Sequence, residues 1–442
     1  MERREFLKKT AAAAAGITLV GCEPTKSGKK DCSEIKYTEG GEADIIVAGG
    51  GPAGIGAAIT AAKCGKKVLL LEAAGCLGGI WTSGTMTCVI DFGRGDVAKE
   101  LIRRLDAMDA RVPRRAKMLD HNFLVEPEYM KIILDDMCAE AGVRYILKCP
   151  VVAVEKDRSG RKVTAVFTES KSGRQRWAAK AFIDATGDGD LAAVAGCGFD
   201  FGGENPGDND QPASLHSLVT IEDDSRIAQF IMNDPSAFGP DGASTSNRKI
   251  AFKEEAARCG SDAAAPTLVR LKKNLLVMCS GFEYGVRVDD AEAVTRATVH
   301  ARKEIFNLTE ALKKNGGDKW KGLRVVSSSD RIWNRAARRI HGVYTITNED
   351  IIAGAQFPDA VATSNSEIDV HSQKKGDAYL LDPGIKTKPF QIPFRACQAR
   401  DVDNVYMAGR CISGNFYAMA SYRMSGPAVE MGENVARRVC EG

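Results

Sequence analysis

Short apolar runs separated by small-residue turns dominate the chain. Asp44-Ile45-Ile46-Val47-Ala48 is β-branched and apolar throughout, which predicts a strand buried on both faces of a parallel sheet. A glycine-rich turn follows, and the Ala-rich stretch from Ile55 to Cys64 predicts a helix. Lys67–Leu71 predicts the next strand, and further strands are predicted at Pro150–Val154, at Phe182-Ile183 and at Val405–Met407. Strand, helix and strand in succession point to the α/β class. From Gly198 to about Tyr344 the pattern changes to Asn/Asp/Gly-rich turns, followed by Asp290–Lys313 with Ala, Val and Leu at helical spacing. This middle stretch is expected to be an inserted α+β substrate or cap domain. No internal repeat or low-complexity tract interrupts the pattern.

With 442 residues, 44% hydrophobic and 27% charged, the chain has globular composition and enough length for two or three domains. Its 61 Lys+Arg nearly balance 58 Asp+Glu, so no nucleic-acid partner is implied. The 13 Cys include no C-x-x-C pair, which excludes a zinc ribbon and a thioredoxin-like site, and no metal is expected. Cys64, Cys138, Cys197 and Cys440 sit beside small or apolar residues and are read as buried thiols acting as small hydrophobes.

The first 22 residues read as an address. A cationic start precedes an apolar stretch, Ala11–Val20, that is too short to span a bilayer. Arg3-Arg4 with Phe6-Leu7-Lys8 resembles a twin-arginine export signal, and Leu19-Val20-Gly21-Cys22 resembles a lipobox, which makes Cys22 the expected lipidation site. The alternative is a cytosolic amphipathic leader. Residues 23–41, polar and rich in Lys and Gly, are expected to link an acylated Cys22 to the folded body. The expected location is therefore the bacterial cell envelope, exported and membrane-anchored by lipid.

The turn after the first strand, Gly49-Gly50-Gly51-Pro52-Ala53-Gly54, carries G-x-G-x-x-G at Gly49, Gly51 and Gly54. The first glycine permits the tight turn, the second lets backbone approach a pyrophosphate, and the third lets the helix pack closely on the strand. Pro52 suits the first helical turn, and the helix N-terminus faces the phosphates. The second strand ends in Glu72, positioned to accept from the adenosine ribose hydroxyls, which disfavours a 2′-phosphate. This fingerprint alone does not separate FAD from NAD.

Three further segments do. Glu72 is followed by Gly78-Gly79 in an E-x5-G-G pattern; Phe182–Asp190 runs from a strand into Ala185-Thr186-Gly187-Asp188; and Asp403–Cys411 runs from a strand into Ala408-Gly409-Arg410. With Ile392–Arg395 and Arg423–Pro427, this order resembles the bacterial FAD-dependent oxidoreductases, two-dinucleotide-binding-domain flavoproteins allied to fumarate reductase and succinate dehydrogenase. The resemblance runs from about Ala43 to Arg437.

It implies a Rossmann-like FAD-binding domain made discontinuous by its insert: residues 42–198 and 350–442 form its two parts, and 199–349 the substrate or cap domain. It also implies that Gly78 and Gly79 pass under the flavin end and that Ala185, Thr186, Gly187 and Asp188 return the chain to the dinucleotide. Gly409 and Arg410 would lie near the ribityl chain, and the helix starting near Ser425 and Gly426 would aim N–H groups at the flavin N1/O2 edge. Val152 would hold the adenine through its main chain. Asp188 is left between ribityl recognition and helix capping. No second G-x-G-x-x-G follows a strand, and nothing resembles the histidine context of covalent flavin attachment, so the cofactor expected is non-covalent FAD.

The basic segment Arg331, Arg335, Arg338, Arg339 is followed by His341-Gly342-Val343-Tyr344, and the resemblance sets part of it near the substrate cavity. Arg clamps a carboxylate or hydroxyl-rich substrate, and substrate oxidation by flavin needs a proton acceptor. Arg335 and Arg338 are the candidate clamps; His341, His216 and Tyr344 are the candidate acid–base groups. Arg423, just before the last helix, could reach substrate or flavin. The expected activity is hydride transfer between a small polar substrate (an alcohol, sugar-derived hydroxyl or carboxylate) and flavin N5, with a quinone or redox protein as acceptor. The alternatives are an FAD-retaining binding or sensing lipoprotein and an NAD-linked dehydrogenase; the second is opposed by the Ala185–Gly187 and Ala408–Arg410 segments.

Overall fold

The computed structural model describes residues 36–442 except 114–120, 204, 206–207, 209, 236–243 and 375–379. The twin-arginine and lipobox residues, Cys22 included, lie outside the described residues. Tyr37–Gly442 form one compact unit, and among the described residues no helix is long and apolar enough to cross a membrane.

Five strands make a fully parallel sheet: Ile45–Ala48 (β1), Val68–Leu71 (β2), Arg144–Ile146 (β3), Ala181–Asp184 (β4) and Val405–Met407 (β5). Their spatial order is β3-β2-β1-β4-β5, the doubly wound arrangement whose direction reverses between β1 and β4. Ligands of such sheets bind outside the carboxyl ends of the strands at that reversal. The apolar runs legible in the sequence lie in this sheet because it is covered on both faces. The helix Pro52–Lys63 (α1) packs against it, and the C-terminal helix Ser425–Glu441 (α2) packs on α1. They meet backbone to backbone: a Cβ on Gly56 would lie 2.5 Å from the Val429 carbonyl oxygen, and one on Gly432 would lie 2.0 Å from that of Ala53.

A second, antiparallel sheet has the order Thr267–Lys272, Leu275–Glu283, Ala213–Thr220, Arg324–Ser328. Period-two alternation gives it two unlike faces. Ala213, Leu215, Val219, Leu268, Leu276 and Met278 join a second hydrophobic core with the helix Ala291–Asn315 and the stacked rings of Phe230 and Trp320. Ser214, His216, Thr267, Val269 and Cys279 point the other way, into the cavity described below. Side chains pass from the second core to the first between Ile332 and Ala336, upstream of residue 349.

Two expectations need correction. Residues 23–41 are not a tether throughout, because Thr38–Glu42 forms an edge strand parallel to Gly173–Ala178. Gly40 is pressed there against the Trp177 indole, with room for no Cβ. Among the four cysteines read as buried thiols, Cys138 and Cys197 are buried, whereas Cys64 is exposed and Cys440 partly exposed.

Candidate active site

At the carboxyl end of β1 each glycine of the turn meets a different constraint. Gly49 has φ +95° and lies against the Ala185 carbonyl, 2.5 Å from where a Cβ would stand. Gly54 packs on the Gly49 carbonyl oxygen, 1.8 Å from its own missing Cβ. Gly51 differs: it caps α1 in extended conformation, φ −75° and ψ −172°, and a Cβ there would meet only the Gly79 Cα, at 4.0 Å. The space beside Gly51 is therefore open, and Pro52 follows within the first helical turn. Gly78, at φ +100°, donates its N–H to the Gly50 carbonyl at 2.8 Å, and Gly79 lies against Gly51.

Glu72 is buried and accepts from Gly50 N at 2.5 Å and from Ala74 N at 2.6 Å. A carboxylate has about four acceptor positions, so it can brace this turn and still accept from ribose hydroxyls. In the strand Val151–Lys156 the register shifts between Val151 and Ala153, leaving Val152 without a cross-strand partner. A strand residue skipped in this way is suited to present its main chain to a base edge. The backbone-lined space at Gly51 and the acceptor capacity at Glu72 fit the adenosine diphosphate half of FAD.

The carboxyl ends of β4 and β5 supply the next stretch. Asp184 is buried and serves the loop: its Oδ1 accepts from Thr186 N and Oγ1 and its Oδ2 from Ala192 N, while burial raises its pKa. Thr186 Oγ1 in turn accepts from Asp190 N, so Thr186 shapes the loop, and Ala185 and Gly187 face the cavity. Asp188 is ion-paired with Arg410. Gly409 has φ +97°, and a Cβ there would lie 3.4 Å from Ala53 Cβ. Arg410 lines the cavity with its Nε buried and without a hydrogen-bond partner.

Ser425 also lines the cavity, its Oγ accepting from Ile90 N at 3.3 Å. Gly426 corrects an expectation: its N–H is committed to the Ile90 carbonyl, and a Cβ there would lie 1.8 Å from the Asp91 carbonyl oxygen. Its glycine serves close packing, and its N–H is spent before any cofactor arrives.

These loops and the second face of the antiparallel sheet, where Ser214, His216 and Thr267 sit beside Val269 and Cys279, enclose a cavity of about 260 Å³. On the sheet side Arg335 Nη1 donates to the Pro212 carbonyl at 2.8 Å and to Ser214 Oγ at 3.1 Å, and its guanidinium stacks 4.7 Å from the Phe282 ring centroid. Ser214 Oγ lies 3.4 Å from His216 Nε2, and His216 Nδ1 lies 3.3 Å from the Gly84 carbonyl oxygen. A consistent proton arrangement runs Arg335 to Ser214 to His216 to Gly84, with His216 neutral and protonated at Nδ1. Burial, then the Arg335 charge, push the His216 pKa down to about 4. On the opposite side Arg423 Nη2 donates to Asp369 O and Oδ2, both at 2.9 Å, while its Nε has no partner; burial lowers its pKa. His371 Nε2 lies 3.7 Å from Asp369 Oδ1, and its ring lies near Phe282.

Of the candidate catalytic side chains, Arg335 and His216 line this cavity and three do not. Arg338 Nη1 donates to the Asp188 carbonyl and to Asp190 Oδ1, both at 2.9 Å, bracing the loop after β4. His341 faces away, between Asp200 Oδ1 at 3.1 Å and Arg400 Nη2 at 3.0 Å. Tyr344 donates to Asp350 at 2.8 Å, and burial, with that bond, pushes its pKa up to about 12. Their assignment as substrate-facing groups is corrected, because each side chain is engaged with partners outside the cavity lining. The sequence reading also missed Asp369, His371, Phe282 and Trp333, which line it.

The sequence matches the family described as "FAD dependent oxidoreductase" over residues 44–438. A search of curated proteins returns no match. Among solved structures, the chain is similar to a geranylgeranyl bacteriochlorophyll reductase-like protein from Thermoplasma acidophilum, with 14% identity over 91% of this chain and 79% of that one and a TM-score of 0.46. It is similar to p-nitrophenol 4-monooxygenase PnpA from Pseudomonas putida, with 14% identity, 90% and 79% coverage and a TM-score of 0.43. It is also similar to L-proline dehydrogenase from P. horikoshii, with 13% identity, 92% and 95% coverage and a TM-score of 0.41. The family match spans nearly the whole described body, including both glycine turns and both loops that line the cavity, and the chain belongs to the FAD-dependent oxidoreductase family.

Proposed function

We propose that this enzyme is an exported, lipid-anchored FAD-dependent dehydrogenase that moves a hydride between the carbon of a small anionic substrate and N5 of non-covalently held FAD. The observation that carries the reading is the charge of the cavity. Among the described lining residues Arg335, Arg410, Arg423 and Lys249 are basic and Asp369 is acidic, with Arg423 paired to Asp369 and Arg410 to Asp188 behind the wall. Buried guanidinium groups recognise carboxylates through paired, charge-assisted hydrogen bonds.

The turn from Gly49 to Gly54 would cradle the pyrophosphate, Glu72 the ribose, Val152 the adenine, and Gly409, Arg410 and Ser425 the flavin end. When bound, FAD supplies an acceptor or donor of two electrons at one carbon–hydride bond. Arg335, fixed on Pro212 and Ser214, orients the substrate carboxylate; Arg423 screens it from the other side. His371, backed by Asp369, holds the proton released from the substrate hydroxyl or amine, whereas His216 stays neutral as an acceptor. A quinone or redox protein takes the electrons onward.

Anaerobic mixing of the holoprotein with matched pairs, each a small 2-hydroxy or 2-amino acid and its amide, tests the activity. Bleaching of the 450 nm flavin band by an acid and at least about tenfold more slowly by its amide supports the proposal; equal rates, or no bleaching by any of them, contradict it. The address is tested separately. Arg3→Lys with Arg4→Lys should hold the precursor in the cytoplasm, and Cys22→Ala should release the protein from the membrane fraction.

A further inference from the structure

We propose that Cys64 and Cys440 form an oxidisable thiol pair that closes into a disulfide, stapling the C-terminal helix α2 to the nucleotide-binding helix α1. The helices run side by side in the same direction, since Pro52 and Ala53 at the start of one and Met424, Ser425 and Ala428 at the start of the other all line the cavity. Their crossing sets the register: Gly56 abuts Val429 and Glu433, and Gly432 abuts Ala53 and Ala57. Eight residues beyond Gly56 is Cys64, and eight beyond Gly432 is Cys440, so both cysteines lie at the same end of the helix pair. Cys64 is the C-cap of α1, and Cys440 lies in the last turn of α2.

The two thiols are close enough to interact, Cys64 helping to raise the Cys440 pKa, and closure requires the sulfurs to approach to a bond length of about 2.05 Å. Neither is sealed in the core, Cys64 being exposed and Cys440 partly exposed. An oxidant can therefore reach the pair. Burial and the Cys64 sulfur hold the Cys440 thiol up at about 11, so the exposed Cys64 is the first nucleophile. Lys66 lies near enough to favour the second thiolate when it forms.

The oxidant named is a disulfide, either a small one such as oxidised glutathione or that of an oxidised thiol-carrier protein. Cys64 thiolate attacks one sulfur of that disulfide and expels the first thiol. Cys440 loses its proton to water and attacks Cys64 Sγ, expelling the second thiol. Two protein S–H bonds are lost, one S–S bond forms, and the carrier is reduced to two thiols. The bridge ties the chain from residue 64 to residue 440, almost the whole folded body, and restrains the helix pair whose opposite ends frame the cavity. This inference stands apart from the proposed substrate.

The test uses purified chain starting after Cys22, incubated with oxidised glutathione or with a phosphine reductant, alkylated, and digested with trypsin without reduction. The reduced sample should expose all 12 thiols remaining without Cys22 on denaturation, and the oxidised sample two fewer. The expected species is Cys64-Gly65-Lys66 joined to Val439-Cys440-Glu441-Gly442. Its formation should raise the unfolding temperature by roughly 5 °C, a rise absent in Cys64→Ser and in Cys440→Ser. Full alkylation of both cysteines after oxidation, separate mixed disulfides with glutathione, or a linked peptide with no thermal shift would overturn the staple.

Discussion

Gly51→Val separates cofactor binding from folding. Gly51 already holds an extended conformation, φ −75° and ψ −172°, that valine adopts without strain, and its missing Cβ has no neighbour nearer than the Gly79 Cα at 4.0 Å. The folded apoprotein therefore loses only the preference for glycine over valine as a helix cap, about 1 kcal/mol. For a chain of this size that is a fall of about 1 °C in unfolding temperature. The new methyl groups occupy the space left for the pyrophosphate. Losing two charge-assisted N–H contacts at about 1.5–3 kcal/mol each weakens FAD by about 10²–10⁴-fold. The assay is the 450 nm to 280 nm absorbance ratio of purified protein, followed by FAD titration and thermal unfolding of the apo form. Gly54→Val is the contrasting control, because its Cβ would stand 1.8 Å from the Gly49 carbonyl oxygen and the turn would not form. Stoichiometric flavin on purified Gly51→Val, or an apo form as unstable as Gly54→Val, would refute the assignment of the cradle.

Further outcomes follow from the same geometry. His216 titrates at about 4 when folded against about 6.5 unfolded. Its contribution is fully present above pH 6.5 and is lost as pH falls through 4, with a span of roughly 3 kcal/mol; denaturant midpoints between pH 7.5 and 4 should show this slope, and His216→Asn should flatten it. Arg338→Ala should lower stability by about 1–3 kcal/mol by removing the bonds to Asp188 and Asp190, measured by urea unfolding, with the ratio of turnover rates for acid and amide unchanged. Arg335→Met, in contrast, should keep flavin and folding but abolish that ratio. Glu72→Ala removes the acceptor for Gly50 N and Ala74 N and should loosen FAD at least about tenfold, read by flavin fluorescence on dilution.

What was legible in the sequence is what the backbone demands locally. Gly49, Gly51 and Gly54 could be assigned separate duties because a left-handed φ, an open approach and a close contact each exclude a side chain. The Ala185–Gly187 and Ala408–Arg410 turns were legible through their resemblance to the FAD-dependent oxidoreductases, and both stand at the carboxyl ends of buried strands. The acid–base and anion-binding groups were less so. Arg335 and Arg338 are three residues apart, yet one faces the cavity and the other the loop after β4. Spacing cannot tell them apart where the chain is neither helix nor strand. His341 and Tyr344 were attractive as chemistry, but Asp200 reaches His341 from 141 residues away, and Asp350 in the first turn of the next helix holds Tyr344. Asp369 meets Arg423 across 54 residues, and no local pattern marks that meeting.

The flavin difference spectrum on adding a small unreactive carboxylate such as acetate or oxalate tests the central claim most directly. An anion between Arg335 and Arg423, beside the flavin end of the cavity, should shift the 450 nm band saturably in the parent holoprotein, with affinity at least about tenfold weaker in Arg335→Met and in Arg423→Met. A saturable shift unchanged in both variants, or no shift while flavin remains bound, would mean that the cavity is not the anion-binding substrate site.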